Sequence, residues 1–199
     1  MALHSFPRAL QDLIEEFGRL PGIGRKTATR LALHILNSPE TEARALAQTI
    51  MEVKEKIKLC PRCFNLSEGD LCSICSDATR DQQKICVVEE PASIFMIEKT
   101  NEYQGLYHVL GGVISPLDGI GPEDLRIKEL LDRAKSADEI ILALNPTTEG
   151  EATNIYLSRL LKPLGIKVTR LARGIPLGSP LEFIDELTLG KALKARDEM

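Results

Sequence analysis

Five cysteines are the first side chains in this sequence whose type and spacing point to a chemical function. Cys60 and Cys63 form one Cys-x-x-Cys pair, Cys72 and Cys75 form a second, and Cys86 stands apart. Two such pairs can direct four thiolates toward one tetrahedral ion, which is the donor set of a structural zinc site. Because four protein ligands leave no position for water, we expect one structural zinc ion per chain and no zinc-dependent catalysis.

A redox function is the alternative for a Cys-x-x-Cys pair. Neither pair stands at the start of a helix in a βαβ unit, and only eight residues separate the two pairs, so we favour metal binding. The short gap predicts a minimal zinc knuckle with almost no sheet of its own, and such a unit depends on the metal for its stability. Cys86 lies in an apolar run, and we expect it to be an inert buried thiol.

A glycine-rich turn near the N-terminus is a candidate anion site. Residues 20–24 read Leu-Pro-Gly-Ile-Gly and precede a helical pattern that starts with two cationic residues. The turn resembles the helix-hairpin-helix motif, in which backbone N–H groups at a helix N-terminus meet a DNA phosphate. Such a site binds without sequence preference, because free N–H groups and the helix dipole attract any phosphate. The predicted DNA-binding residues are Gly22, Gly24, Arg25, Lys26 and Arg30.

A plain helix corner with solvated charges is the alternative for this turn. Residues 118–124 offer a comparison within the same chain, because they repeat the Gly-Ile-Gly turn ahead of a predicted helix. There the neighbouring charges are negative, and Pro122 has no N–H group to offer an anion. We therefore expect phosphate binding at the first turn only.

Three glutamates follow predicted strands in the second half of the chain. Glu89 follows the strand 85–88, and Glu149 and Glu151 come shortly after the strand 140–144. Parallel sheets place their functional groups at the carboxyl ends of the strands. The two stretches resemble the Toprim domain of topoisomerases and primases, in which a glutamate follows the first strand and an Asp-x-Asp pair follows a later one. Glu89 matches that glutamate.

The second stretch departs from the Toprim pattern, because Asn145 and Thr147 stand where the metal-binding aspartates belong. Magnesium prefers anionic oxygen ligands, so we expect no two-metal cleavage and predict no catalytic residue. Three glutamates could still gather one weakly held magnesium ion. We interpret Glu89, Glu149 and Glu151 as a surface that docks a partner protein, with a solvated acidic rim as the alternative.

The periodicity of the apolar residues predicts the elements that must position these groups. Helical spacing dominates the first 59 residues, where a third helix runs from about residue 39 to residue 58. After the cysteines, short apolar runs alternate with helical segments, which favours crossover connections and a mostly parallel sheet covered on both faces. The predicted strands are 84–88, 107–110, 139–144 and 167–171.

Two predicted helices bear on the sites. One spans residues 122–134, and the other spans residues 149–161 and begins with the capping-box pattern Thr148-x-x-Glu151. We therefore predict an α+β chain in four parts. These are a helical region at 1–59, a four-cysteine zinc finger at 60–80, an α/β Toprim domain at 81–171 and a C-terminal oligomerisation tail at 172–199.

The overall composition limits the kinds of binding that the chain can perform. It has 25 basic and 29 acidic residues, a net charge of −4, 4% aromatic residues and no Trp. This argues against tight DNA binding by one chain and against base recognition by rows of stacked rings. The first 59 residues carry 9 basic and 7 acidic side chains, whereas residues 81–170 carry 10 and 14. The helical end is therefore the expected DNA contact, and assembly would multiply its charge.

Membrane insertion is not expected. The sequence has no apolar run of about 18 residues, and its first residues include carboxylates where a signal peptide would be apolar. We expect a cytoplasmic protein associated with the nucleoid.

The order of these motifs resembles the RecR family of bacterial recombination mediators. Four stretches carry the resemblance along nearly the whole chain, in addition to the glycine turn and the cysteines. They are residues 86–94, 105–125, 145–153 and 170–193.

This resemblance implies a non-enzymatic adaptor in DNA repair and recombination. The family is described as ring-shaped homotetramers that encircle DNA and, with RecO or RecF, help to place RecA on single-stranded DNA coated by SSB. The ring contacts would involve the helical region, the Toprim domain and the tail. Two other functions stay open from the residues alone. These are a magnesium-dependent Toprim nuclease or primase, and a zinc-knuckle protein that binds only other proteins.

Overall fold

The computed structural model describes residues 6–196. The chain divides into two compact units, Met1–Ile57 and Lys58–Met199. This division is coarser than the four predicted parts, whose boundaries stay a prediction. Each unit is described separately below.

The first unit is helical. Helix α1 (Arg8–Gly18) packs against helix α2 (Arg25–Asn37), and the residues buried between them are Ile14, Ala28 and Ala32. The two alanines have small side chains, so the helix backbones can approach closely. Five larger apolar residues surround this contact. They are Phe6, Leu10, Leu13, Phe17 and Ile23.

Helix α3 (Glu40–Lys56) completes the first unit and has no buried residue. Its apolar side chains are between 44% and 56% exposed at Leu46, Ile50, Met51 and Val53. The predicted third helix is therefore present, but its large apolar side chains are about half exposed in the single chain.

The second unit begins with the cysteine segment, whose sheet is as small as predicted. Strand β1 (Lys58–Leu59) pairs antiparallel with strand β2 (Leu66–Ser67), and helix α4 (Ser73–Ser76) holds the fourth cysteine. Strands of two residues provide few hydrogen bonds, so the four cysteine side chains must provide most of the stability of this segment.

A four-stranded parallel sheet forms the centre of the second unit, which confirms the predicted α/β architecture. Its spatial order is β4-β3-β5-β6. Strand β3 is flanked on both sides, so that Val87 pairs with His108 of β4 and with Leu142 of β5. The strands are β3 (Asp81–Val88), β4 (Gly105–Val109), β5 (Glu139–Leu142) and β6 (Lys167–Arg170).

Three helices connect these strands and close the core. They are α5 (Pro91–Glu98), α6 (Ile127–Ala134) and α7 (Thr148–Leu161). Leu130 of α6 and Leu157 of α7 are fully buried with Tyr107 and Ile140 of the sheet. Cys86 is buried in β3, and burial raises the pKa of its thiol to about 12. It is thus an inert core thiol, as expected.

The prediction of one helix over residues 122–134 is wrong. A short 3₁₀ turn at Pro122–Asp124 is separated from α6 by Leu125, whose backbone is extended and whose side chain is buried. The next N–H group, on Arg126, donates to the carbonyl of Leu110 at 3.0 Å. The chain is not helical here, because the N–H of Arg126 is bonded to Leu110, the residue that follows β4, and not to a helix carbonyl.

The predicted capping box at the start of α7 is also wrong. The N-cap is Thr147, whose Oγ1 accepts a hydrogen bond from the N–H of Gly150 at 3.0 Å. A box starting at Thr148 would need the carboxylate of Glu151 to turn back to the N-cap. That carboxylate instead pairs with Arg170 and Arg173.

The C-terminal segment contains little regular structure before its last helix, α8 (Glu186–Lys194), which is capped by the Asp185 carboxylate. Its large apolar side chains are mostly exposed, including Leu177, Phe183 and Leu187. Among the helices of residues 6–196, none combines the length and the apolar character that crossing a membrane requires.

Candidate metal centre and nucleic-acid interface

The four clustered cysteines converge on one point. Their Sγ atoms all lie within 4.8 Å of one another, and all four residues are buried. The Sγ atoms of Cys63 and Cys72 are 3.5 Å apart. A tetrahedral zinc ion with Zn–S bonds of about 2.3 Å separates its sulfur ligands by about 3.8 Å. Cys60, Cys63, Cys72 and Cys75 therefore fit the structural zinc site that was predicted.

Backbone hydrogen bonds hold the first pair of cysteines in position. The N–H of Phe64 donates to the carbonyl of Cys60 at 2.8 Å, and the N–H of Cys60 donates to the carbonyl of Asn65 at 2.7 Å. This tight turn requires a left-handed backbone at Phe64, where φ is 63°. The second pair uses a helix start, since Cys72 is the N-cap of α4 and Cys75 lies within it.

Contact with the neighbouring thiols, that of Cys63 first, lowers the pKa of the Cys75 thiol and so favours its thiolate form. Zinc binds thiolates, so its entry displaces the protons of the four thiols. The site is closed by four protein ligands, and its function is structural.

The first glycine turn leaves the start of α2 open. Gly22 has φ of 77°, a conformation that glycine adopts without strain. Gly24 is the N-cap of α2, no side chain caps the helix, and its first turn contains no acidic residue. The three predicted cationic residues at this helix start are all exposed. They are Arg25, Lys26 and Arg30.

The second glycine turn differs in the way that its sequence predicted. The N–H of Gly121 donates to the carboxylate of Asp124 at 2.8 Å, and the following 3₁₀ turn has only three residues. An acidic side chain of the protein itself thus occupies the N–H group that would meet an anion. Phosphate binding at the first turn only stays a prediction, and this contact is consistent with it.

The Toprim-like edge of the sheet brings Glu89 and Asn145 into direct contact. The two carboxylate oxygens of Glu89 accept hydrogen bonds from the backbone N–H and the side-chain Nδ2 of Asn145, at 2.7 and 2.6 Å. Position 145, where the Toprim pattern has an aspartate, thus holds an amide that donates to Glu89.

Gly150 allows this close approach. A Cβ atom at this position would lie 2.1 Å from the Asn145 carbonyl oxygen and 3.2 Å from Oε1 of Glu89. The start of α7 therefore packs directly against the Glu89–Asn145 pair. Glu89 thus lies beside Gly150, the residue between Glu149 and Glu151 in the sequence.

Glu151 has partners that the sequence reasoning missed. Its carboxylate pairs with Arg170, at 3.0 Å, and with Arg173. A hydrogen bond from Arg173 is the main cause that lowers the pKa of Glu151. Arg170 is the last residue of β6, so the rule that located the glutamates at strand carboxyl ends could also have located this arginine.

Comparison with known protein families accounts for nearly the whole chain. Four models match in succession: the RecR helix-hairpin-helix at residues 10–54, the RecR four-cysteine zinc finger domain at residues 57–77, the Toprim domain at residues 83–172 and the RecR C-terminal region at residues 174–196.

Curated relatives extend over the full length of the chain. A protein of Acidothermus cellulolyticus named recombination protein RecR is 55% identical over 192 residues, which is 96% of each chain. A protein of the same name from Chlorobium phaeobacteroides is 53% identical over 199 residues, or 96% of this chain and 97% of the relative. The one from Bifidobacterium longum subsp. infantis is 55% identical over 200 residues, covering 100% of both.

Proposed function

The chain belongs to the RecR family of recombination proteins, and from this premise we propose that it acts in DNA repair as a DNA-binding adaptor without enzymatic activity. In this proposal several copies form a ring, the ring contacts DNA without sequence preference, and RecO or RecF cooperates with it to place RecA on single-stranded DNA coated by SSB. The site of action is the cytoplasm, at the nucleoid.

The uncapped start of α2 is the observation that carries this proposal. Gly24 leaves the first N–H groups of the helix free of side-chain caps, and Arg25, Lys26 and Arg30 are exposed beside them. N–H groups and exposed cations together bind phosphate but cannot distinguish bases. One such site is weak, because the net charge of the chain is −4. Assembly would supply the missing affinity by presenting several sites to one DNA.

Two exposed apolar surfaces support self-assembly. The first is the stripe of α3 that contains Leu46, Ile50 and Val53, and the second includes Phe183 and Leu187 in the tail. An apolar helix face without a partner in its own chain is typical of a protein interface. A second copy of the chain is the proposed partner of both surfaces, as a homotetrameric ring requires.

The acidic edge of the Toprim domain is the proposed docking surface for RecO and RecF. Glu89 and Glu151 are held by Asn145 and by two arginines, so their carboxylates are fixed in place. Within the described part of the chain Glu149 forms no ion pair and Glu89 is held by an uncharged amide, so both carboxylates keep a negative charge to offer. A basic surface on the partner would complement this edge.

The absence of enzymatic activity is part of the proposal. Asn145 donates both of its N–H groups toward Glu89, and the Thr147 hydroxyl caps α7. The two positions that carry aspartates in an active Toprim enzyme thus have structural functions here. Labelled DNA incubated with the protein and magnesium or manganese should stay intact and unextended. Reproducible cleavage or synthesis that disappears in Glu89→Ala would establish an enzyme instead.

DNA binding tests the central claim. We expect Lys26→Glu to weaken DNA binding strongly and to reduce its dependence on salt, because a phosphate contact releases counterions. Fluorescence anisotropy with single-stranded, duplex and junction DNA at several salt concentrations measures both effects. The matched control is Lys128→Glu, which makes the same charge change at an exposed position of α6. If Lys26→Glu and the control variant bind DNA with the same affinity and the same salt dependence, the DNA-binding site lies elsewhere in the protein.

A further inference from the structure

Arg133 of α6 has a buried group that lacks a partner. Its Nη1 donates to the carbonyl of Tyr107 at 2.7 Å and to Nδ1 of His108 at 3.1 Å. Its Nη2 is buried and has no hydrogen-bond partner among residues 6–196. A buried donor without an acceptor costs about 1–3 kcal/mol, and more when it carries charge. A structure that keeps such a group is expected to satisfy it.

The contacts of Arg133 within the sheet supply no negative charge. His108 accepts a hydrogen bond at Nδ1, so its proton is on Nε2, which donates to the carbonyl of Arg126 at 2.8 Å. Burial lowers the pKa of His108 to about 4, so the ring is neutral. Both acceptors of Nη1 are therefore uncharged, and a buried cation held only by uncharged groups is unfavourable.

The zinc knuckle lies directly against this part of the sheet. The N–H of Val109 donates to the carbonyl of Cys63 at 2.8 Å. The ring of Phe64 packs edge-on against the ring of His108, with 5.5 Å between the ring centroids. Arg133 donates to this same His108, so its guanidinium lies where the sheet meets the cysteine segment.

A zinc ion with four thiolates carries a net charge of −2, and its burial requires compensation. We propose that Arg133 is the counter-ion of the zinc–thiolate centre, whose negative charge compensates the buried, unpartnered end of its guanidinium. Arg133 is a positioning residue for the metal, not a ligand. It joins the zinc knuckle to the sheet by charge, while the Val109–Cys63 hydrogen bond joins them through the backbone.

Zinc retention in Arg133 variants tests this proposal. Arg133→Gln keeps N–H donors but removes the charge, whereas Arg133→Lys keeps the charge. Zinc release to a competing chelator, followed with a metal-sensitive dye, gives the affinity of each folded variant. Loss of a residue that supports metal ligands weakens metal binding by about 10- to 100-fold. We expect a loss in this range for Arg133→Gln and a much smaller one for Arg133→Lys.

Arg80→Gln is the matched control. Arg80 is also largely buried, and its Nε likewise lacks a hydrogen-bond partner among residues 6–196. Its charge, however, is paired with the carboxylates of Glu98 and Asp77. Its removal should lower the unfolding temperature and leave the zinc affinity of the folded protein unchanged. Equal zinc affinity in Arg133→Gln and the unaltered protein would overturn the proposal, and so would equal losses in the Gln and Lys variants. If Arg133→Gln does not fold, Arg133→Lys decides the question. This variant keeps the positive charge, so zinc release about tenfold faster than from the unaltered protein would contradict a charge-based role.

Discussion

The carboxylate of Glu89 accepts both hydrogen bonds that Asn145 directs toward it, from the backbone N–H and from Nδ2. The pairing joins a carboxylate to an uncharged donor at the position where the Toprim pattern has an aspartate. Hydrogen bonds therefore hold this edge of the sheet together, and this has a direct consequence for substitution at position 145.

Asn145→Asp should destabilise the protein in the absence of divalent cations. The new carboxylate would face Glu89 at the place where Nδ2 now donates at 2.6 Å, and like charges at this distance repel. We expect a loss of about 1–3 kcal/mol in the free energy of unfolding, from the lost hydrogen bond and the new repulsion. Urea unfolding with and without magnesium measures this loss of stability, and magnesium should restore much of it.

The double variant Asn145→Asp, Glu89→Gln is the control, because it removes the repulsion and should respond little to magnesium. A stable single variant that is indifferent to magnesium would contradict this account of the site.

Gly150→Ala should be among the most damaging small substitutions in the second unit. The added Cβ would lie 2.1 Å from the carbonyl oxygen of Asn145, so the start of α7 would have to move. Such overpacking costs about 1–3 kcal/mol, and thermal unfolding measures it. The control is Gly190→Ala in α8, where no atom of residues 6–196 lies within 4 Å of the added atom. That variant should gain about 0.5–1 kcal/mol, because alanine favours the helix. The same response at both positions would mean that α7 does not pack as described.

His108 should make the stability of the second unit depend on pH. Burial lowers its pKa to about 4 in the folded protein, against about 6.5 in an unfolded chain. Between these values only the unfolded state binds the proton, so stability falls as the pH is lowered from about 6.5 to about 4. The full effect is on the order of 3 kcal/mol, since each unit of pH contributes about 1.4 kcal/mol per proton.

Denaturant unfolding across this pH range measures the contribution of His108. Protonation of the zinc ligands adds a pH dependence of its own, so the informative quantity is the difference between the unaltered protein and His108→Gln. The free energy of unfolding of His108→Gln should change less with pH than that of the unaltered protein. His34→Gln, at an exposed position of α2, should leave the curve unchanged. Parallel curves for the unaltered protein and His108→Gln would rule out the buried neutral histidine.

Ile50→Glu should dissociate the assembly without unfolding the chain. Ile50 is 56% exposed on α3, so a carboxylate there costs little within one chain but opposes burial against a second copy. Sedimentation or native mass measurement should show a smaller species with normal helix content, and the zinc content should stay at one ion per chain. Glu55→Gln, another exposed position of α3, is the control. An unchanged mass for Ile50→Glu would exclude this helix from the interface.

Local patterns in the sequence were sufficient for the zinc site and the sheet. The spacing of Cys60, Cys63, Cys72 and Cys75 has one common structural solution, and it is the solution found. Strand and helix periodicity likewise predicted a parallel sheet, because crossover connections leave few alternatives. The unequal character of the two glycine turns could also be predicted, because Pro122 and the acidic residues beside it are visible in the sequence.

Contacts between distant residues were beyond such patterns. Glu151 meets Arg170 and Arg173 across 19 and 22 positions of the chain, and nothing in the local sequence of Glu151 indicates these partners. The cap of α7 was assigned to Thr148 because the capping-box spacing fits it, but those two arginines hold the glutamate that the box requires. Arg133 was missed for a related reason, since its contacts with Tyr107 and His108 depend on how α6 packs against β4.

The small core of the first unit links folding to concentration. Of residues 6–57, only Ile14, Ala28 and Ala32 are fully buried, which is little for a helical unit of this length. Contacts of α3 with other copies would then supply stability that the single chain lacks, by mass action. The melting temperature of this unit should rise with protein concentration. Dilution should destabilise the unit, including helix α2, which presents Arg25 and Lys26 to DNA. Protein abundance itself would thereby regulate how many intact DNA-binding sites a cell holds.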